Sequence, residues 1–214
     1  MGKLQIIVGS TRETRSADRV VPWATLRATE HGAFDVELID LRDWPLPMFQ
    51  EHLGTIGDRS DPTYSDPIVK AWNTKIADAD AYLVITPEYN HSIPGVLKNA
   101  IDNVFLSDAM RNKPLAAIGY STGQAAGIRA IEHLALIAIE MEAAPIRSSV
   151  PIASIMSAFG PDGTPTDPLT DVALTIVLDD LAWWSAALAQ ARAQGELKPG
   201  KLRFIAARTK LAGS

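Results

Sequence analysis

The sequence predicts an α/β fold, a doubly wound five-stranded parallel sheet with helices on both faces. Three observations carry this. Short, continuous apolar runs alternate with longer stretches of helical spacing. Most of the runs lack the polar alternation of a strand with one wet face, so they belong to a sheet covered on both sides. Segments rich in hydroxyl, amide and small residues fall directly after the runs, where an open parallel sheet binds its ligands.

In chain order, Leu4 to Val8 reads as a buried strand and Ser16 to Thr29 as a helix. Pro22 inside that helix lacks a donor and crowds the preceding turn, so a kink or a delayed start is expected. Phe34 to Ile39 alternates with period two and reads as a half-buried strand. Asp40 to Pro67 holds Pro45, Pro47, Gly54, Gly57 and Pro62, and connections of that length in one domain are as a rule functional or mobile. Ala81 to Thr86 and Leu115 to Tyr120 are further buried strands, and Ala144 to Val150 is a weaker fifth.

Pro94 to Phe105 places Val96, Leu97, Ala100, Ile101, Val104 and Phe105 on one stripe, with Lys98, Asn99, Asp102 and Asn103 opposite. Pro94 suits the first turn of such a helix. Ala125 to Ile139 opens with Arg129, Glu132 and His133 and then turns apolar on all sides. A helix of that kind must be covered all round, by a subunit interface or by the C-terminal helix. That last helix, Pro168 to Gln194, has Asp167 as N-cap and Gly195 past its end, and its Trp183 and Trp184 need cover. Residues 1–195 thus form one domain. Residues 196–214 form a basic tail with Lys198, Lys201, Arg203, Arg208 and Lys210, expected to be solvated and poorly ordered.

Composition narrows the function. The chain has 214 residues, and none is cysteine. That excludes disulfides, thiolate metal sites and a cysteine nucleophile. The net charge of −5 argues against a nucleic-acid partner. No apolar run reaches the length of a membrane span, and Leu4 to Val8 is too short for a signal-peptide core. A cytoplasmic protein without membrane partners is the expectation, with no metal site.

Three segments that follow strands hold the candidate chemistry. Gly9-Ser10-Thr11-Arg12-Glu13-Thr14-Arg15-Ser16 joins a strand to a helix, with four hydroxyls and two arginines. Hydroxyls, a helix N-terminus and guanidinium groups all favour a phosphate. It lacks both the Gly-Lys-Ser/Thr of a Walker loop and the Gly-x-Gly-x-x-Gly of dinucleotide folds, so side chains must do most of the binding. Thr86-Pro87-Glu88-Tyr89-Asn90-His91-Ser92-Ile93-Pro94-Gly95 offers two prolines, a flat tyrosine and several hydrogen-bonding groups. Tyr120-Ser121-Thr122-Gly123-Gln124-Ala125-Ala126-Gly127 offers small residues that let a flat ligand approach the backbone. One crevice with a phosphate end and a flat polar end describes a mononucleotide site.

These residues resemble the NADPH-dependent FMN reductase family of flavodoxin-like proteins. The resemblance rests on Gly9-Ser10-Thr11-Arg12-x-x-Arg15 and, more specifically, on Thr86 through Asp102, and it covers Met1 to about Val150. It implies a flavodoxin-like sheet, bound FMN, NADPH or NADH as donor, a small-molecule electron acceptor, and a homodimer or homotetramer. By position, Ser10, Arg12, Arg15 and Ser16 would hold the FMN phosphate. Pro87, Glu88, Tyr89, Asn90 and Ser92 would line the isoalloxazine ring, and Ser121 and Gly123 would touch its other end. The implied chemistry is a ping-pong hydride relay needing no catalytic protein acid or base, so no catalytic residue is assigned. His91 is read as a loop residue with a structural bond. Rival classes are a flavodoxin-type electron carrier and a scaffold with a dead site. A hydrolase is remote, because no Gly-x-Ser-x-Gly occurs.

Overall fold

A parallel sheet in the order β2-β1-β3-β4-β5 runs through the centre of the computed structural model. The structure describes residues 1–58, 61–104 and 107–212, so Phe105 of the expected apolar stripe lies outside it. The strands are β1 (Gly2–Val8), β2 (Phe34–Asp40), β3 (Ala81–Pro87), β4 (Pro114–Tyr120), β5 (Ala144–Pro145) and β6 (Val150–Ile152). This is the flavodoxin-like doubly wound order, whose switch point lies beside β1 and β3.

The expected fifth strand is split. Leu115 pairs with Pro145 but Ile118 with Val150, so the edge strand loops out between those pairs. Pro145 and Pro151 cannot donate to a ladder, a chemistry that only an edge tolerates. The helices are α1 (Ala17–His31), α2 (Pro67–Ala77), α3 (Gly95–Asp102), α4 (Ile128–Glu140), α5 (Pro168–Ala193) and α6 (Gly200–Ala212). α1 continues unbroken through Pro22. That proline is exposed, so the carbonyl left without its N–H can turn to water. Asp167 caps α5 as expected, accepting the Leu169 N–H at 2.9 Å.

Two cores flank the sheet. Leu4, Ile6, Val8, Leu83, Ile85 and Ile118 face α1 and α5. Ile7, Tyr82, Val84, Leu115 and Ala117 face α2, α3 and α4. The near-unbroken apolar strands follow from this, since each alternate side chain enters a dry layer. α5 is long and apolar enough by composition to cross a membrane, contrary to the expectation that no run reaches that length. Its Leu174, Val177, Leu178 and Leu181 are buried in the core with α1 and the sheet. Because α5 packs on the α1 face, it cannot cover α4, where Leu136 and Ile139 stay 66% and 61% exposed. The expectation that α4 is buried on all sides therefore fails within one chain. Trp183 and Trp184 are likewise exposed.

The 40–67 connection is pinned in place. Buried Glu51 accepts the Ser65 N–H at 2.9 Å and hydroxyls from Ser65 and Thr55. Burial opposes its charge, but these bonds outweigh it and hold the carboxyl below its ordinary range. Asn99 of α3 donates to the Pro47 carbonyl at 2.9 Å and accepts the Phe49 N–H at 2.8 Å. The basic tail is not an irregular end: residues 200–212 form α6, which buries no side chain.

The third loop closes through two glycines. Gly127 precedes α4 at φ +79°, and a Cβ there would lie 2.3 Å from the Tyr120 amide nitrogen. A Cβ on Gly119 would lie 2.8 Å from the Gly127 carbonyl. α4 therefore starts later than its apolar pattern suggests. Gly127→Ala should destabilise the fold by about 3 kcal/mol through clash and left-handed strain. Urea unfolding midpoints test this, and an unchanged midpoint would show that the turn has room to shift.

Candidate functional site

The three predicted segments meet at the carboxyl ends of β1, β3 and β4. In the first, the Gly9 N–H donates to the Ile85 carbonyl at 2.8 Å, tying the loop to β3. Arg15 then folds inward and is only 8% exposed. Its Nη1 donates to the Ser10 carbonyl at 2.6 Å and to Asp40 Oδ1 at 2.6 Å. Nη2 donates to Asp40 Oδ2, and Nε to Asp18 Oδ1 at 2.8 Å. Four of the five guanidinium donors are thus committed to protein groups. The bonds to Asp40 raise the Arg15 pKa further. Burial opposes the Asp40 charge, but Arg15 and the Arg42 amide hold its carboxyl below the usual range.

Arg12 and Ser16 behave differently. Arg12 is exposed, and its guanidinium lies 5.7 Å from the Tyr89 ring centre. Among the described residues no carboxylate lies within 4.0 Å of it. Ser16 sits at the N-cap of α1, yet its hydroxyl makes no capping bond. It points instead toward Met156 Sδ, 3.9 Å away. The positive end of α1 and a spare hydroxyl therefore face the same space.

The second segment is a tight hairpin. Tyr89 and Ser92 exchange backbone bonds of 2.9 and 3.1 Å, with Asn90 at φ +49° and His91 at φ +73°. Two successive left-handed residues make a type I′ turn, which asparagine enters readily because its side chain bonds locally. The turn is clamped from both sides. Ser10 Oγ and the Tyr89 hydroxyl are 2.9 Å apart. Glu88, with 5% of its side chain exposed, forms an ion pair with Arg129 of α4, and its N–H donates to the Tyr120 carbonyl at 3.0 Å. Arg129 also donates to His91 Nδ1 at 3.0 Å, and His133 Nδ1 lies 2.9 Å from Ser92 Oγ. His91 is thus engaged in a structural bond.

In the third segment Ser121 donates its N–H to Ile152 at 3.1 Å and its hydroxyl to the Gly123 carbonyl at 2.9 Å. A Cβ on Gly123 would meet nothing within 4 Å, so this backbone borders open space. The Tyr120 hydroxyl is buried, with the Ala17 amide near it but no close hydrogen bond among the described residues. Burial raises its pKa, so it stays a neutral donor.

The segments enclose a cavity of about 330 Å³. That is within the range of small-molecule sites. Of the predicted residues, Arg12, Arg15, Ser16, Pro87, Glu88, Tyr89 and Ser121 line it. Ser10 lies fully buried beneath the Tyr89 hydroxyl. Asn90, Ser92 and Gly123 do not line the cavity; the first two shape the hairpin. Thr14, Tyr120 and Thr122 lie within the predicted segments without an assigned role, and Ile155 and Met156 lie outside them; these five complete the wall. Ile155 and Met156 follow β6, so reading past the weak fifth strand would have found them.

Residues 3–156 match the family model described as NADPH-dependent FMN reductase. An NAD(P)H-dependent FMN reductase of Schizosaccharomyces pombe is 36% identical over 55% of this chain and 57% of its own. The chain thus spans little more than half the length of that relative. A 2-hydroxy-1,4-benzoquinone reductase of a Burkholderia species is 33% identical over 62% of this chain and 67% of its own. Among solved structures, the flavoenzyme NAD(P)H:(acceptor) oxidoreductase of Paracoccus denitrificans superposes with a TM-score of 0.68. It is 27% identical, over 87% of this chain and 98% of that one.

Asp40→Asn, which leaves the buried Arg15 without its carboxylate, should cost about 2 kcal/mol at neutral pH, discounted for partial exposure of Asp40. A carboxyl with a depressed folded pKa stabilises above its unfolded value and loses that contribution as pH falls through the folded one. The gap between wild type and Asp40→Asn should therefore narrow below about pH 4. Unfolding midpoints of both proteins across pH test this, and a gap that stays constant into acid would contradict it.

Proposed function

The chain belongs to the NADPH-dependent FMN reductase family, oxidoreductases that work with FMN and a nicotinamide donor. From that premise we propose that it passes reducing equivalents from NADPH or NADH through FMN to a small acceptor, in a ping-pong scheme. The cavity carries this reading, because groups that suit a phosphate and a flat aromatic wall share one space, as a mononucleotide requires. The N-terminus of α1, the Ser16 hydroxyl, bonded only to Met156 Sδ, and the Arg12 guanidinium, without a carboxylate partner among the described residues, suit the phosphate. The Tyr89 ring, Pro87 and Ser121 line the same cavity and suit the flat ring system.

FMN bound here would supply the chemistry, hydride transfer between a nicotinamide donor and the acceptor. Arg12 and Ser16 would hold the FMN phosphate directly. Arg15 and Ser10 act from below, as positioning residues that keep the loop in shape. Pro87, Glu88 and Tyr89 form the wall beside the ring, and the Glu88–Arg129 pair keeps that wall in place. Asn90 and Ser92 support it through the hairpin, and Ser121 and Gly123 leave the ring's far end room. No protein acid or base is needed at the reacting atoms.

The acceptor class is a free flavin, a quinone, an azo or nitro compound, or a metal oxyanion. The name of the Burkholderia relative favours a quinone. A homodimer or homotetramer belongs to the same reading, because Leu136 and Ile139 of α4 are left for another subunit to cover. So does a cytoplasmic place, where nicotinamide donors are held.

An anaerobic visible spectrum before and after NADPH or NADH tests the activity. The expected result is a flavin band that bleaches on adding the donor. A band that persists with both donors would instead identify an electron carrier, and failure to retain added FMN would remove the cofactor assignment. Light scattering on the eluting protein should give at least twice the chain mass at micromolar concentration. A monomer there would rule out the α4 interface.

A further inference from the structure

A second cavity, of about 390 Å³, opens at the other end of the sheet. The seven residues of β4 separate it from the first by roughly 20 Å. Its walls are the end of α2 at Ala77, the segment from Ser107 to Lys113, and the end of α5 with Glu196 and Pro199. Arg192, Glu196 and Pro199 lie beyond the residues matched to the family.

Three cationic side chains line this cavity, Arg111, Lys113 and Arg192, against two acidic ones, Asp108 and Glu196. Both acids are engaged. Asp108 pairs with Lys201 at 3.1 Å. Glu196 accepts from Asn112 at 2.5 Å and lies 3.4 Å from Arg111. Arg111 also pairs with Glu142, and Arg192 pairs with Asp80 at 3.0 Å.

Lys113 lacks such a partner. It is only 9% exposed. Its ammonium donates to the Ala77 carbonyl at 2.6 Å and lies 6.0 Å from the Tyr82 ring centre. Among the described residues no carboxylate lies within 4.0 Å of it. An ammonium has three donors, and a buried charge without a counter-ion is costly. Burial first and the charge of Arg192 second push the amine down to about 8, against a smaller upward pull from the more distant Asp80, Glu196 and Asp78.

We propose that this cavity binds a small oxyanion, a phosphate or a carboxylate, which serves as the missing counter-ion of Lys113 with Arg111 and Arg192 at its flanks. Guanidinium groups suit both chemistries through their planar donor forks. The ligand would also brace the C-terminal segment, since Arg111 already donates to the Leu197 carbonyl and the Gly200 N–H to Glu142 at 3.0 Å. The plainer role for Lys113 is to cap α2, whose last residue is Ala77, and to balance the negative end of that helix. The two roles predict different responses to added anion.

The test is thermal unfolding of the FMN-saturated protein in inorganic phosphate or in succinate, against chloride at matched ionic strength. FMN saturation keeps the probe out of the first cavity, and the comparison of variants isolates Lys113 even if FMN is not retained. Wild type should show a saturable rise in melting temperature with one of the two probes, which identifies the anion class. Lys113→Met and Arg192→Gln should each weaken that response by about tenfold or more while leaving the flavin spectrum unchanged. An equal rise in Lys113→Met, or no rise in wild type beyond that in chloride, would overturn the proposal and leave Lys113 as a helix cap. If Lys113→Met does not fold, mass spectrometry of wild type after limited acetic anhydride treatment replaces it. Acetylation of Lys113 should fall several-fold in the effective anion, and equal acetylation with and without it would overturn the proposal.

Discussion

Arg15 is the point on which the geometry of the cavity at the carboxyl ends of the strands depends. One buried guanidinium joins the Ser10 carbonyl, Asp18 of α1 and Asp40 at the end of β2. A charge buried to this degree is tolerable only because carboxylates surround it and nearly all its donors are used. Once Arg15 is turned inward, the first loop must present its other polar groups outward. That leaves Arg12, Ser16 and the N-terminus of α1 facing the cavity. Ser10 then passes the constraint on to the second loop through Tyr89.

The same economy governs the other two loops. The type I′ hairpin from Tyr89 to Ser92 is held by contacts from α4, through Arg129 and His133. α4 can reach that position only because Gly119 and Gly127 let its first turn press against β4. The residues that line the cavity are therefore fixed by residues that do not line it. Gly127, Asp40 and Arg129 belong to the site as much as Tyr89 does, through packing rather than contact.

The sheet also separates the molecule into unequal environments. The C-terminal strand ends carry hydroxyls, two paired ion clusters at Arg15 and Glu88 and the exposed Arg12, and the N-terminal ends carry a crowded set of charges around Lys113. One face is sealed by α1 and α5, while α4 on the other keeps an open apolar flank. A single chain thus satisfies its two cores and leaves a surface that water covers poorly.

Much was legible in the residues alone. Apolar runs at Leu4, Ala81 and Leu115 specified buried parallel strands, because side-chain period and burial are local properties of the chain. The three polar segments were legible as one site, since topology forces the ends of neighbouring parallel strands together. What each side chain does there was not. Arg12 and Arg15 are alike in sequence, and only the position of Asp40 turns one inward and leaves the other free. Nothing local shows that the fifth strand would split, that α5 would cover the α1 face rather than α4, or that Lys113 would be buried without a carboxylate. Those outcomes depend on which distant groups the folded chain brings within a few ångströms, and Coulomb and packing forces at that range are settled only by the tertiary structure.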